Sequence, residues 1–250
     1  MNESYKESFE KTKKAGEIAA GALDEVSKII KPGIQTDKID KLCYEYIRDN
    51  GAYSAPLFYR GFPKSCCTST NHIVCHGIPS EKILKDGDIV NVDVTALKDG
   101  WHGDTSRTYE IGEVSIKAKK LVKTTFDAMM KAIKIIKEDV FLGDIGAAIQ
   151  SHVEAEGFSV VQDFCGHGIG RHFHQEPNVL HYGKKGTGER IKAGMIFTIE
   201  PMINFGKYET KTLNDGWTAV TKDKSLSAQF EHTIGVTKDG YEIFTLSKHR

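Results

Sequence analysis

The chain has 250 residues, with 34 Lys+Arg balancing 34 Asp+Glu and 39% hydrophobic residues. This supplies an ordinary globular core and excludes a mostly disordered chain, while zero formal charge argues against DNA or another polyanion held by bulk charge. No apolar run is long enough to span a bilayer, and the first twenty residues mix both charges without an apolar stretch, so the expected address is cytoplasmic, away from the membrane.

Apolar residues at Ile18, Ala22, Val26 and Ile29 form one stripe and predict a helix over 5–31, stopped by Pro32-Gly33. A second helix over 36–50 carries Ile39, Leu42, Cys43, Tyr46 and Ile47 on one face. Strand and loop fill 51–82. Segments 88–97 and 103–111 predict a hairpin about Asp99-Gly100, a strong turn pair. Helices follow over 115–138 and 143–156, and the chain is strand-rich from 158 onward. The five cysteines (Cys43, Cys66, Cys67, Cys75, Cys165) are odd in number and include no CxxC, which favours neither a disulfide framework nor a thiolate zinc knuckle.

The pattern repeats. LKDGDIVNVD at 84–93 aligns without gaps on IKAGMIFTIE at 191–200, so Asp93 falls on Glu200 at an offset of 107. KIIK occurs at 28–31 and again at 134–137, an offset of 106. The second helix face then falls on Ile145, Ala148, Ile149, His152 and Val153. With no linker between them, two α+β halves, roughly 5–112 and 113–250, are expected to share one core in a single 1–250 domain. Their helices should lie outside a curved, mainly antiparallel sheet.

Asp93 and Asp104 flank the Asp99-Gly100 turn, which predicts that they sit nearly opposite each other, with cross-strand Cβ atoms about 4.5–5.5 Å apart. Bare carboxylates so close repel, and a divalent cation removes the conflict. Glu200 and Glu231 lie among apolar neighbours in strand-like FTIEP and AQFEHT, where an unpaired charge is costly. One such acid alone is most simply half of a salt bridge; four on repeated segments point to cations. His167, in glycine-rich CGHGIG, adds an imidazole. An oxygen-rich set with one imidazole suits Mn, Fe(II), Co or Zn. Two such ions about 3.5–4 Å apart lower the pKa of a shared water.

VDVTALKDGWHGDTSRT, FCGHGIGRHFHQEPNV, IFTIEPMI and SLSAQFEHTIG resemble the bacterial-type (type I) methionine aminopeptidases, and KSCCTSTNHIVCHGIP is similar to the methionine branch of their pita-bread metallopeptidase fold. The resemblance spans the chain. It implies two divalent metal ions, with Asp93 on one, Asp104 and Glu231 bridging both, and His167 and Glu200 completing the second. It implies further that His76 and His174 contact substrate and that Tyr59, Phe62, Cys67, Phe173 and Trp217 line a methionine pocket, a cup suited to a flexible thioether. The implied catalytic residues are Glu200 as proton carrier, with His76 and His174. The family often has Cys at the position of Pro56 and His at that of Arg60, both near the pocket mouth, and a smaller residue at that of His172.

The expected activity is therefore removal of N-terminal methionine from nascent proteins and peptides, preferring a small second residue, by a monomer. A proline-specific peptidase of the same fold and a non-enzymatic protein on that fold are the rivals. Lys117, Lys119, Lys120 and Lys123 read as a solvated helix face, with transient ribosome contact as the functional alternative. His152 falls on a helical core stripe. His102 could lie near Asp104. His181, His232 and His249 carry no spacing signal.

Overall fold

The computed structural model describes residues 5–247, so His249 lies outside the described residues. α1 runs Lys6–Ile29 and α2 Thr36–Asp49. α1 is more rotated than its sequence suggests: Ala22 and Val26 are buried as expected, but Ile18 and Ile29 are only partly so, and Ala15, Ala19 and Leu23 complete the buried face. Small side chains there let the helix lie close on the sheet beneath. α2 buries Ile39, Cys43 and Ile47, one side of its predicted stripe, with Leu42 and Tyr46 half-buried.

α3 spans Ile116–Lys134 and α4 Leu142–Ala155. The Ser115 hydroxyl caps α3 by accepting from the Ala118 N–H at 3.2 Å, and α3 ends four residues before the predicted 138. α4 buries Ile145, Ile149 and Val153. His152 sits at the edge of that stripe, half-buried, with its Nδ1 2.8 Å from Lys131 Nζ, and is a boundary residue. No helix lies beyond Ala155 among the described residues, and none is long and apolar enough to cross a membrane.

The strands Ile89–Lys98 and Trp101–Glu110 form the predicted antiparallel hairpin. Cys67–Thr70 pairs with its first strand, and α1 packs over both. Further along the chain, His232–Val236 pairs antiparallel with Ile196–Ile199, which in turn meets Gly166–Gly168. Two large apolar clusters form the core. One joins Ala19, Val26, Ile39, Ile47, Val90 and Val94; the other joins Leu121, Ile133, Ile149, Phe197, Ile199 and Ile234.

Polar side chains tie the 89–110 hairpin to the segment 229–233. Thr105 Oγ1 donates to the Glu231 carbonyl at 2.7 Å, Thr108 Oγ1 and Asn91 Nδ2 both donate to the Gln229 carbonyl at 2.6 and 2.9 Å, and Thr233 Oγ1 links to both the N–H and the carbonyl of Asp104. The Glu231 N–H donates to the Ser106 carbonyl at 3.1 Å. This seam fixes Asp104 and Glu231 side by side although they are far apart in the chain.

Candidate active site

A cavity of about 660 Å³ opens at the seam and is lined by all twelve residues singled out above: Asp93, Asp104, His167, Glu200, Glu231, His76, His174, Tyr59, Phe62, Cys67, Phe173 and Trp217. Pro56 and Arg60 line it too; exposed His172 does not.

The hairpin needs one correction. The turn sits where expected, with Lys98 opposite Trp101 and positive φ at Asp99 (50°) and Gly100 (78°). A turn centred there pairs Asp93 with Ser106 and Asp104 with Thr95, so the aspartates are displaced by two residues rather than opposed. They still share one face, because side chains two residues apart on a strand point the same way. Thr95 takes the opposing place, and its hydroxyl donates to Asp104 Oδ1 at 2.7 Å.

His167 is positioned by backbone. Gly166 and Gly168 leave no room for a side chain: a Cβ there would lie 2.4 Å from the Thr198 carbonyl oxygen and 2.1 Å from that of Glu176. His167 Nδ1 lies 3.0 Å from the Gly168 carbonyl, an acceptor, which places the proton on Nδ1 and leaves the Nε2 lone pair free. Nε2 faces Asp104 Oδ2 at 3.7 Å and Glu200 Oε1 at 3.5 Å. Burial pushes the imidazole down to about 4, so it is neutral near pH 7.

The four acids have no Lys or Arg partner among the described residues. Asp104 and Glu231 are 4% and 2% exposed. Burial raises Asp93 to about 7 and Glu200 to about 8. It raises Asp104 and Glu231 well above the carboxylate range, with the neighbouring acids adding to it. Asp104, His167 and Glu231 each offer a ligand atom within 4.8 Å of the others. Buried carboxylates lacking a cation, beside a neutral imidazole with its lone pair turned inward, fit divalent metal. The thiols of Cys67 and Cys75 are pushed well up by burial and stay neutral, which leaves them as cavity lining rather than thiolate ligands.

The upper walls are aromatic. Phe62 meets Trp217 edge-on at 5.2 Å, and His76 meets Phe164 edge-on at 5.5 Å. His174 stacks on Phe173 at 4.1 Å, and its Nδ1 lies 3.0 Å from the Tyr59 hydroxyl. Desolvation, and then His167, His76 and Arg60, push His174 down to about 3. His102 turns away from Asp104: its Nδ1 lies 2.9 Å from the Gly170 carbonyl, and its ring stacks on Phe173 at 5.6 Å.

Four supporting residues are additional to those singled out in the sequence. Thr198 Oγ1 donates to Glu200 Oε1 at 2.7 Å and accepts from the His167 N–H at 3.0 Å. Gln229 Nε2 donates to Glu200 Oε2 at 3.3 Å. His181 Nε2 accepts the Glu200 N–H at 3.1 Å. With Thr95, three of the four stand two residues from an acid, and period-two spacing was a signal that could have found them.

The profile of metallopeptidase family M24 matches residues 10–238. The methionine aminopeptidase of Rickettsia prowazekii is 58% identical over 96% of this chain and 93% of its own. That of Escherichia coli K12 is 53% identical over 97% and 92%. The crystal structure of the Rickettsia methionine aminopeptidase superposes with a TM-score of 0.95 at 57% identity, covering 96% of this chain and 97% of that one. The prolidase of Pyrococcus furiosus, 22% identical with a TM-score of 0.77, shares the fold, and the chain spans 65% of its length. The fold is thus the pita bread, and the chain belongs to metallopeptidase family M24, among its methionine aminopeptidases.

Proposed function

We propose that this chain removes the N-terminal methionine from peptides and nascent proteins, preferring a small second residue, in a site that holds two divalent cations drawn from Co, Mn, Fe(II) or Zn. Asp93 would hold one, His167 and Glu200 the other, and Asp104 and Glu231 both. Bound there, such ions supply Lewis acidity and lower the pKa of water. The observation that carries this reading is that four carboxylates and one imidazole line one cavity beneath an aromatic cup, with no Lys or Arg paired to the acids among the described residues.

The chain's own residues divide the remaining work. The methionine thioether enters the cup of Tyr59, Phe62, Cys67, Phe173 and Trp217, and the free α-amino group is received beside Asp93. His76 orients the scissile peptide. With the Tyr59 hydroxyl donating to Nδ1, His174 carries its proton on Nε2 and donates it to the developing oxyanion. Glu200 takes a proton from water and delivers it to the leaving amine.

Two similar halves, 5–112 and 113–250, forming one catalytic domain, account for the helix–helix–strand order that occurs twice and for Asp93 and Glu200 facing one cavity. We place the enzyme in the cytoplasm as a monomer. Transient ribosome contact would fall to Lys117 and Lys119, because Lys120 and Lys123 pair with Glu156 and Asp127.

The test is an assay on Met-Gly-Met-Met and on an X-Pro dipeptide, with metal-free protein titrated separately with Mn, Fe(II), Co and Zn. Release of methionine from the first is expected. Cleavage of the dipeptide alone would favour a proline-specific enzyme, and failure to recruit any of the metals would favour a binding protein.

A further inference from the structure

Arg60 is a cation on the cavity wall with no carboxylate partner among the described residues. It is exposed at the mouth, above a cup whose Phe62 and Cys67 are 3% and 7% exposed. Its backbone has φ 47°, and Phe58, two residues earlier, has φ 67°. Left-handed conformations cost a non-glycine residue free energy and gather where a site needs a fixed geometry. This turn is pinned by four bonds: Phe58 N–H to the Phe62 carbonyl at 2.8 Å, Tyr59 N–H to that of Pro56 at 2.9 Å, Gly61 N–H to that of Phe58 at 3.2 Å, and Phe62 N–H to that of Tyr59 at 2.9 Å.

The guanidinium lies 5.3 Å from the Tyr59 ring centre. Held against that ring, an arginine keeps N–H donors in its plane for a carboxylate. The other rim charges are already engaged. Asp163 Oδ2 accepts from Thr210 Oγ1 at 2.6 Å, and Glu176 accepts from the Asn178 N–H at 3.2 Å and from Asn178 Nδ2 at 3.3 Å. A substrate with its methionine in the cup must lead the rest of its chain out through the mouth, past Arg60.

We propose that Arg60 is a specificity-determining residue that receives a carboxylate carried by the substrate beyond the scissile bond. This deepens the methionine aminopeptidase reading and rests on it. The carboxylate has two sources: an acidic side chain at the third residue, or the terminal carboxylate of a short peptide.

Mn-loaded enzyme is assayed on Met-Ala-Xaa-Ala amides with Xaa Asp, Ser or Lys, and on Met-Ala-Ala as free acid and as amide. We expect wild type to favour Asp over Ser by about threefold to fivefold in kcat/KM, mostly through KM, the size of a partly exposed ion pair. Lys should fall below Ser. Arg60→Ala should bring the Asp/Ser ratio to one or lower, Arg60→Lys should keep most of it, and Arg60→Glu should invert it. A partly misfolded variant scales all peptides alike and leaves the ratio intact. A preference confined to free acid over amide, and lost in Arg60→Ala, assigns the site to terminal carboxylates. Ratios unchanged in Arg60→Ala and Arg60→Glu overturn the inference. A wild type that leaves the Ser amide uncut removes the activity reading and this inference with it.

Discussion

The floor and the rim of the cavity are held by different means. On the floor, Asp104 on its hairpin strand and Glu231, bridged to Ser106 beside it, are tied by Thr105, Thr108, Asn91 and Thr233. Glu200 is gripped at both oxygens and at its own N–H. On the rim, Tyr59 and Arg60 ride a short turn bearing two left-handed residues, and His174 stands on a loop, braced by Phe173 and the Tyr59 hydroxyl. Ions demand ligand positions good to about 0.5 Å, whereas an apolar cup demands only shape and exclusion of water. The stronger framework lies where the tolerance is smaller.

Glu231→Gln strikes the floor hardest. Activity should fall more than about 100-fold, with metal content reduced, because the carboxylate proposed to hold both ions is lost. The metal-free protein should become more heat-stable, since the acid is 2% exposed, lacks a protein cation and faces other acids. Paired metal analysis and melting curves check this; a metal-free variant less stable than wild type would mean that Glu231 serves the fold.

Glu200→Gln tests the proton carrier. Loss in kcat of about 10²–10⁴-fold is expected with the fold retained, and near-normal turnover would remove the role. Thr198→Val is gentler. It deletes the hydroxyl that orients Glu200 and accepts the His167 N–H, and metal affinity should weaken by about tenfold or more. Competition with a chelator reads this out, and unchanged affinity would make Thr198 mere packing.

What was legible in the sequence follows the same division. Asp93, Asp104, Glu200 and Glu231 stand out because charge among strand apolar residues is conspicuous, and CGHGIG marks His167 by its glycines. The hairpin turn was legible as well, yet a turn centred between 99 and 100 pairs Asp93 with Ser106, and the difference of two residues seats Thr95 opposite Asp104. Polar residues such as Thr198 and Gln229 look ordinary until tertiary pairing shows what they hold. His181 carries no local signal at all: it is wholly buried, and its contact with the Glu200 N–H comes from nineteen residues away. The stripe of α1 misleads because alanines bury well but weigh little in a hydrophobic pattern. The cup residues were legible through family resemblance, since aromatic residues on loops carry no period.

The smallest predicted effect sharpens the contrast through pH. His167, His174 and His181 are depressed to about 4, 3 and 3, so the unfolded chain takes up protons below about 6.5 that the folded chain refuses, and their contribution to stability is lost as pH falls. Asp93 and Glu200 work oppositely. Raised to about 7 and 8, they keep protons in the folded state that the unfolded chain has already released, so stability falls as pH rises towards those values. The two trends compete below about 6.5, whereas from there to about pH 8 the acids act alone, short of the ordinary range of thiols. Metal-free protein should therefore lose stability steadily across that window, with Asp104 and Glu231 adding to the fall, and its Tm should drop by several degrees. Divalent metal should cancel the slope, because cations replace those protons and bind more tightly as pH rises. Melting curves on chelator-treated and Mn-loaded protein between pH 6.5 and 8 decide it. A flat metal-free Tm would mean that the acids on the floor are already ionised and that something other than a divalent cation balances them.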